Sequence, residues 1–146
     1  MVRIVTILAV IVSTAAAFAP SIPSIVRTPF SVSPSSLKAV VDIDSEEKFD
    51  KTIESASGSL VVVDYSTTWC GPCKVIAPKF DELSDQYPDA VFLKVIGDAS
   101  PDASKLMKRE GVRSVPSFHY FKDGEKVEVV NGANAEAIES AITKHL

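Results

Sequence analysis

Residues 69–74 read Trp69-Cys70-Gly71-Pro72-Cys73-Lys74 and hold the only two cysteines of the 146-residue chain. A strand-like apolar run, Leu60 to Tyr65, precedes them, and a helical pattern from Lys74 to Tyr87 follows. Two thiols two positions apart at the start of a helix form a redox device. The helix dipole favours negative charge at its N-terminus. The thiolate is the nucleophile, and a free cysteine with a pKa of ~8.5 holds little of it at neutral pH. The spacing lets the second sulfur fold back on a mixed disulfide made by the first. Two other readings stand beside this one. A zinc site needs four ligands, and His119 and His145 are the only other soft candidates, without ligand-like spacing. A purely structural disulfide would close so short a loop that it restrains the unfolded chain little.

Working outward, Leu60-Val61-Val62-Val63 suits a strand buried on both faces. Asp64 interrupts that run six residues before Cys70. An acid there is costly unless paired or functional, and burial would raise its pKa. That would suit a proton acceptor for the second thiol; a solvated aspartate at a strand end is the alternative. In the helix after the cysteines, Val75, Ile76, Phe80 and Leu83 are expected to face the core, and Pro78 to kink it.

Upstream, Lys38 to Ile43 reads as an edge strand. Asp44 with Glu47 reads as the cap of a helix carrying Phe49, Ile53 and Ala56, ended by Gly58. Downstream come a strand over Ala90–Ile96, a turn over Asp98–Asp102 and a short helix over Ala103–Arg109 ended by Gly111. Val115-Pro116 leads into a strand through Phe121. Lys122-Asp123-Gly124-Glu125 is a hairpin turn to Lys126–Val130. Gly132 bends the chain, and Asn134 caps a last helix with Ile138, Ala141 and Ile142 inside. His119 reads as a surface histidine, because no cysteine or acid neighbours it in sequence. The order β-α-β-α-β-α-β-β-α predicts an α/β fold. Three strands are parallel through right-handed crossovers, the hairpin adds two antiparallel strands, and four helices flank the sheet.

The N-terminus is different in kind. Residues 1–38 carry only Arg3, Arg27 and Lys38, and every acidic residue lies at or after Asp42. Residues 39–146 therefore hold twelve basic and nineteen acidic residues, a formal charge of −7. An acidic domain without a basic stripe argues against nucleic-acid binding and favours targets with positive patches near their disulfides. Ile4 to Ala17 is an uncharged, mostly apolar run behind Arg3, ending in Ala15-Ala16-Ala17. This is a signal-peptide pattern over residues 1–17, too short for a comfortable membrane span. Residues 18–38 hold six serines, four prolines and no acid, a disordered, transit-peptide-like composition. The domain is expected over residues 39–146.

These motifs together resemble the thioredoxin family. The resemblance covers about residues 39–146. It rests on Trp69-Cys70-Gly71-Pro72-Cys73-Lys74, Val62-Val63-Asp64-Tyr65, Pro78, Val115-Pro116, Phe121-Lys122-Asp123-Gly124 and Gly132-Ala133. It implies the thioredoxin fold and a monomeric protein-disulfide reductase without cofactor or metal. Cys70 would be the exposed attacking cysteine, Cys73 the buried resolving one, and Asp64 the residue assisting proton transfer at Cys73. Trp69, Gly71, Pro72, Val115, Pro116, Gly132 and Ala133 would form the apolar surface where a partner docks. A thioredoxin reductase, drawing on ferredoxin or NADPH, would restore the dithiol. Pro72 resembles reducing members, whereas histidine there would resemble disulfide isomerases. The alternatives are a secretory-route oxidase or isomerase, and a non-catalytic binding module. Three features depart from the pattern: Ser66 where many members have a second tryptophan, Gly97 after the third strand, and a longer segment near Ala99–Ser104. The domain is more similar to cytosolic-type members than to plastid ones. The leader, with Ala17-Phe18-Ala19-Pro20 at the expected cleavage point, is similar to bipartite leaders of algae with complex plastids. It implies delivery to the stroma or to the space between the plastid membranes. Secretion is the alternative.

Overall fold

The structure, a computed structural model, describes residues 40–146. The signal-peptide and transit-like segments expected over residues 1–38 lie outside the described residues. The elements run β1 (Val40–Ile43), α1 (Glu46–Ser55), β2 (Leu60–Ser66), α2 (Gly71–Gln86), β3 (Val91–Ile96), α3 (Pro101–Arg109), β4 (Ser117–Lys122), β5 (Glu125–Asn131) and α4 (Ala135–His145). They form one five-stranded sheet in the order β1-β3-β2-β4-β5. β3 pairs in parallel with both β1 and β2. β4 runs antiparallel to β2 and to β5. This is the mixed sheet that the element order predicts.

The central strand is β2, buried along its whole length. Its side chains alternate between two helical layers, as the period of two requires. Leu60 and Val62 pack with Ile76, Phe80 and Leu83 of α2 and Ile138 and Ile142 of α4. Val61, Val63 and Tyr65 pack with Phe49 and Ile53 of α1 and Leu106 of α3. The same alternation puts Asp64 and Ser66 on the α2 side. The β4–β5 hairpin turns at Asp123 and Gly124, with φ of 52° and 82°. Two positive φ values in a two-residue loop are what the twist of a hairpin favours.

Four local expectations differ from the structure. The α1 cap is Ser45, whose side chain accepts from the Lys48 N–H, rather than Asp44. Helix α3 begins at Pro101, because Ser100 caps it by accepting from the Ala103 N–H at 2.9 Å. Residues 101 and 102 are thus helix rather than turn. Val75 points into solvent. The core face of α2 is Cys73, Ile76, Phe80 and Leu83, and Val75 lies about 100° from Ile76 on the helical wheel. His119 is buried at 2% exposure, its ring 4.6 Å from that of Tyr65. Strand β4 lies between β2 and β5 and is covered on both faces, so a polar residue in it has no solvent side. Burial, with a contribution from the Lys126 charge and against that of Glu110, pulls the His119 pKa down to about 4.

Candidate active site

Strand β2 ends at Ser66, and four residues later the chain enters α2. Short bonds pin the intervening loop. The Cys70 N–H donates to the Thr67 carbonyl at 3.2 Å, and the Gly97 N–H donates to the Ser66 carbonyl at 2.9 Å. The Thr68 N–H donates to an Asp98 carboxylate oxygen at 2.9 Å, and the Thr68 hydroxyl donates to the same carboxylate. These two bonds hold the exposed Asp98 carboxyl below its usual range. Asp98→Ala should therefore loosen the turn that carries Trp69 and Cys70. We expect about a tenfold fall in the rate of insulin-disulfide reduction, since small misplacements of reacting groups are costly. An unchanged rate in that assay would show that the turn holds without the clasp.

Cys70 and Cys73 are joined as a disulfide, with 5.3 Å between their Cα atoms. Cys70 is the N-cap of α2, and its Sγ accepts from the Cys73 N–H at 3.2 Å. A thiolate on this atom would face a free backbone donor and the positive end of the helix dipole together. Cys73 lies in the first turn on the core side. It lines a cavity of about 160 Å³ with Ser66, Thr67, Thr68, Lys74, Ala77, Lys94 and Ile96. Ser66, a small side chain, thus borders open space. The expected contrast in exposure is not present in the disulfide form: Cys70 is 3% exposed and Cys73 4%. Both sulfurs are buried in this form, and what separates the two is position, cap against first turn.

Asp64 lies beneath α2, 1% exposed, and its Oδ1 has no hydrogen-bond partner. It sits opposite Lys94 on one side and Phe118 on the other. Burial pushes its pKa up to about 7; the Lys94 charge opposes the rise and that of Asp81 adds to it. The carboxyl is therefore poised to change charge near neutral pH. The solvated strand-end alternative is excluded by this burial.

The remaining site residues come from the far side of the sheet's C-terminal end. Tyr65 pairs with Ser117 in antiparallel register, so the residues after Ser66 and those before Ser117 leave the sheet together. Val115-Pro116 is a cis peptide bond. The Pro116 carbonyl accepts from the Gly132 N–H at 2.8 Å, and Gly132 adopts φ of 88° to present it. That backbone favours glycine. Trp69, Gly71, Pro72 and Ala133 are exposed, Val115 and Gly132 half-buried, and Pro116 buried. Pro116 thus supports the expected docking surface from below. Gly97, unexplained in sequence, leaves room for Met107: a Cβ there would lie 1.8 Å from the Met107 Sδ.

Comparison with known proteins agrees with this geometry. The family profile described as Thioredoxin matches residues 40–144. The chain is 43% identical over 105 residues to thioredoxin from Callithrix jacchus, covering 72% of this chain and 97% of that protein. It is 42% identical over 119 residues to "Thioredoxin F1, chloroplastic" from Arabidopsis thaliana, covering 82% of this chain and 65% of that protein. It superposes with a TM-score of 0.67 and 42% identity on thioredoxin f2 in a crystal structure with ferredoxin:thioredoxin reductase, covering 72% of this chain and 93% of that one. With the paired cysteines at the head of α2 and a family match over the whole described domain, this chain belongs to the thioredoxin family and is a protein-disulfide oxidoreductase.

Proposed function

We propose that Cys70 is the attacking sulfur, Cys73 the resolving one, and Asp64 the acid–base group that serves Cys73. The observation that carries this is the placement of Cys70 as the cap of α2 with Asp64 buried under the same helix. In the reduced protein the Cys70 thiolate attacks one sulfur of a target disulfide. That S–S bond breaks, a mixed disulfide forms, and the departing target thiolate takes up a proton. Asp64 then accepts the proton of the Cys73 thiol. The Cys73 thiolate attacks the Cys70 Sγ, releasing the target's second thiolate, which is protonated in turn. Two electrons and two protons have passed to the target, and the Cys70–Cys73 disulfide remains. Trp69, Gly71, Pro72, Val115, Gly132 and Ala133 bear on the target chain, with Pro116 beneath. The protein acts as a monomer.

The Trp-Cys-Gly-Pro-Cys sequence supports a reductase over an oxidase. A histidine at residue 72 would stabilise the thiolate further and raise the potential. Redox titration against glutathione tests the direction. A potential well below roughly −180 mV supports a reductase, and one at or above it would assign the protein to oxidation or isomerisation.

A dedicated reductase restores the dithiol. The f2 relative's complex with ferredoxin:thioredoxin reductase supports a ferredoxin-linked partner. The likeness to a chloroplastic relative supports a plastid setting. We assign residues 1–17 to a signal peptide, 18–38 to a transit segment and 39–146 to the catalytic domain. Residues 1–40 fused to a fluorescent protein test this in an alga with a complex plastid. A diffuse plastid signal places the enzyme in the stroma, and a spot at the margin places it between the envelope membranes. Secretion would overturn the assignment.

A further inference from the structure

The two most exposed large apolar side chains among the described residues flank the disulfide. Trp69 is 74% exposed and immediately precedes Cys70; Val75 is 77% exposed, one turn into α2. The next, Leu146, reaches 51% and lies at the C-terminus. Single exposed apolar residues are ordinary on a protein surface. Here Gly71 and Pro72, both exposed, lie between the two and join them into one strip.

Helix geometry makes that strip continuous. Val75 stands three and four residues after Pro72 and Gly71, on the same helical face. A helical side chain leans toward the N-terminus and covers the turn before its own Cα. The Val75 isopropyl group therefore leans toward the turn that holds Gly71 and Pro72, in the direction of the disulfide, and leaves open space above Gly71. Its β-branch leaves essentially one χ1 rotamer in a helix, so little side-chain freedom is lost when a partner covers it.

Disulfide exchange fixes what must cover it. The target's sulfur has to reach bonding distance of the Cys70 Sγ, about 2 Å. The residues flanking the target's cysteine then lie over the residues flanking Cys70. Val75 is about 6 Å along the helix axis from Gly71. An extended target chain covers about 7 Å in two residues. Resting on the assignment of Cys70 as the attacking sulfur, we propose that Val75 is a specificity-determining residue. It receives an apolar side chain about two positions from the reacting cysteine of an extended target segment.

The test uses pre-reduced protein in single-turnover reactions with two substrates. Insulin presents a polypeptide disulfide, and 2-hydroxyethyl disulfide is uncharged and too small to reach Val75. Val75→Asp should raise the half-saturating insulin concentration about tenfold, and Val75→Thr, nearly isosteric, about threefold, through lost apolar burial. Val75→Ile should retain the wild-type value. The rate with 2-hydroxyethyl disulfide should stay within twofold throughout. Insulin binding unchanged in both polar variants would overturn the proposal. So would parallel losses on both substrates, which would mean that the substitutions disturb Cys70 itself. Survival of both reactions in Cys70→Ser would remove the premise, and that control separates failure of the premise from failure at Val75.

Discussion

Cys70→Ser abolishes insulin-disulfide reduction, with a loss of about a thousandfold or more. Serine keeps the cap, since its hydroxyl can accept from the Cys73 N–H as the sulfur does at 3.2 Å. Helix α2 therefore stays in place and only the nucleophile is lost. A hydroxyl at neutral pH offers almost no anion, and the helix dipole cannot close that gap. Cys73→Ser also stops turnover, for another reason. Its Cys70 still attacks, but no thiol follows to release it. Turbidity from the freed insulin chains reads both variants. Reduction at more than a few per cent of the wild-type rate in Cys70→Ser would mean that Cys73 can open target disulfides by itself.

Asp64→Asn stabilises the oxidised protein at pH 8 and slows its reduced form. The sign follows from the raised pKa. The folded carboxyl titrates at about 7 and the unfolded one at 3.8. Between those values the folded state holds a proton that the unfolded state has released. Stability from this group is therefore greatest below pH 3.8 and is lost as pH rises through 7. The full shift corresponds to about 4 kcal/mol. Asparagine escapes that cost but leaves its own buried groups short of partners, about 1–3 kcal/mol. The expected net effect is a gain of about 2 kcal/mol at pH 8 that becomes a loss of about 2 kcal/mol near pH 4, where the carboxyl is protonated in both states, measured by urea unfolding at both pH values. His119 acts the opposite way. Its folded pKa of about 4 lies below the ordinary histidine value of 6.5, so its contribution is present above 6.5 and is lost as pH falls toward 4. The wild-type stability profile between pH 4 and 7 should accordingly be shallow, and that of Asp64→Asn should rise with pH. A variant no more stable than wild type at pH 8 would mean that Asp64 is not buried as a costly anion.

The kinetic half of the same substitution separates catalysis from stability. Without the carboxylate, the Cys73 thiol must give its proton to water. Release of the mixed disulfide should slow about a hundredfold at pH 7, the ordinary scale of positioned acid–base catalysis. At high pH hydroxide takes the thiol proton in place of the carboxylate, and the variant should approach the wild-type rate. A deficit that persisted at high pH would point to distortion of the site.

The reasons for what could and could not be read from sequence are physical. Leu60–Val63 was legible because a fully buried parallel strand needs a continuous β-branched run. Asp64 was legible because an acid in such a run needs a reason. The cysteine pair, the hairpin turn and the Asn134 cap were legible because each is short-range chemistry. The Asn134 side chain does accept from the Ala137 N–H, at 3.2 Å. Val75 was misread because Val75-Ile76 is an adjacent apolar pair, and sequence alone did not show which of the two the core would take. His119 was misread because its neighbours in sequence are silent about layering; its burial comes from β5 on one side and Tyr65 across the strand. Ser100-Pro101 is a cap followed by proline at the first helical position, and that signal was present but read as a turn. The Thr68–Asp98 clasp joins residues thirty apart, and no local pattern announces it.

The most direct test of the assigned roles is to trap the mixed disulfide. Each single-cysteine variant is reduced, mixed with a disulfide-bonded substrate, quenched in acid and examined by intact-mass and peptide mass spectrometry. The account predicts that Cys73→Ser accumulates a substrate adduct on Cys70, while Cys70→Ser forms little or none in the same time. An adduct forming at least as fast on Cys73 would contradict it and reverse the roles of the two sulfurs.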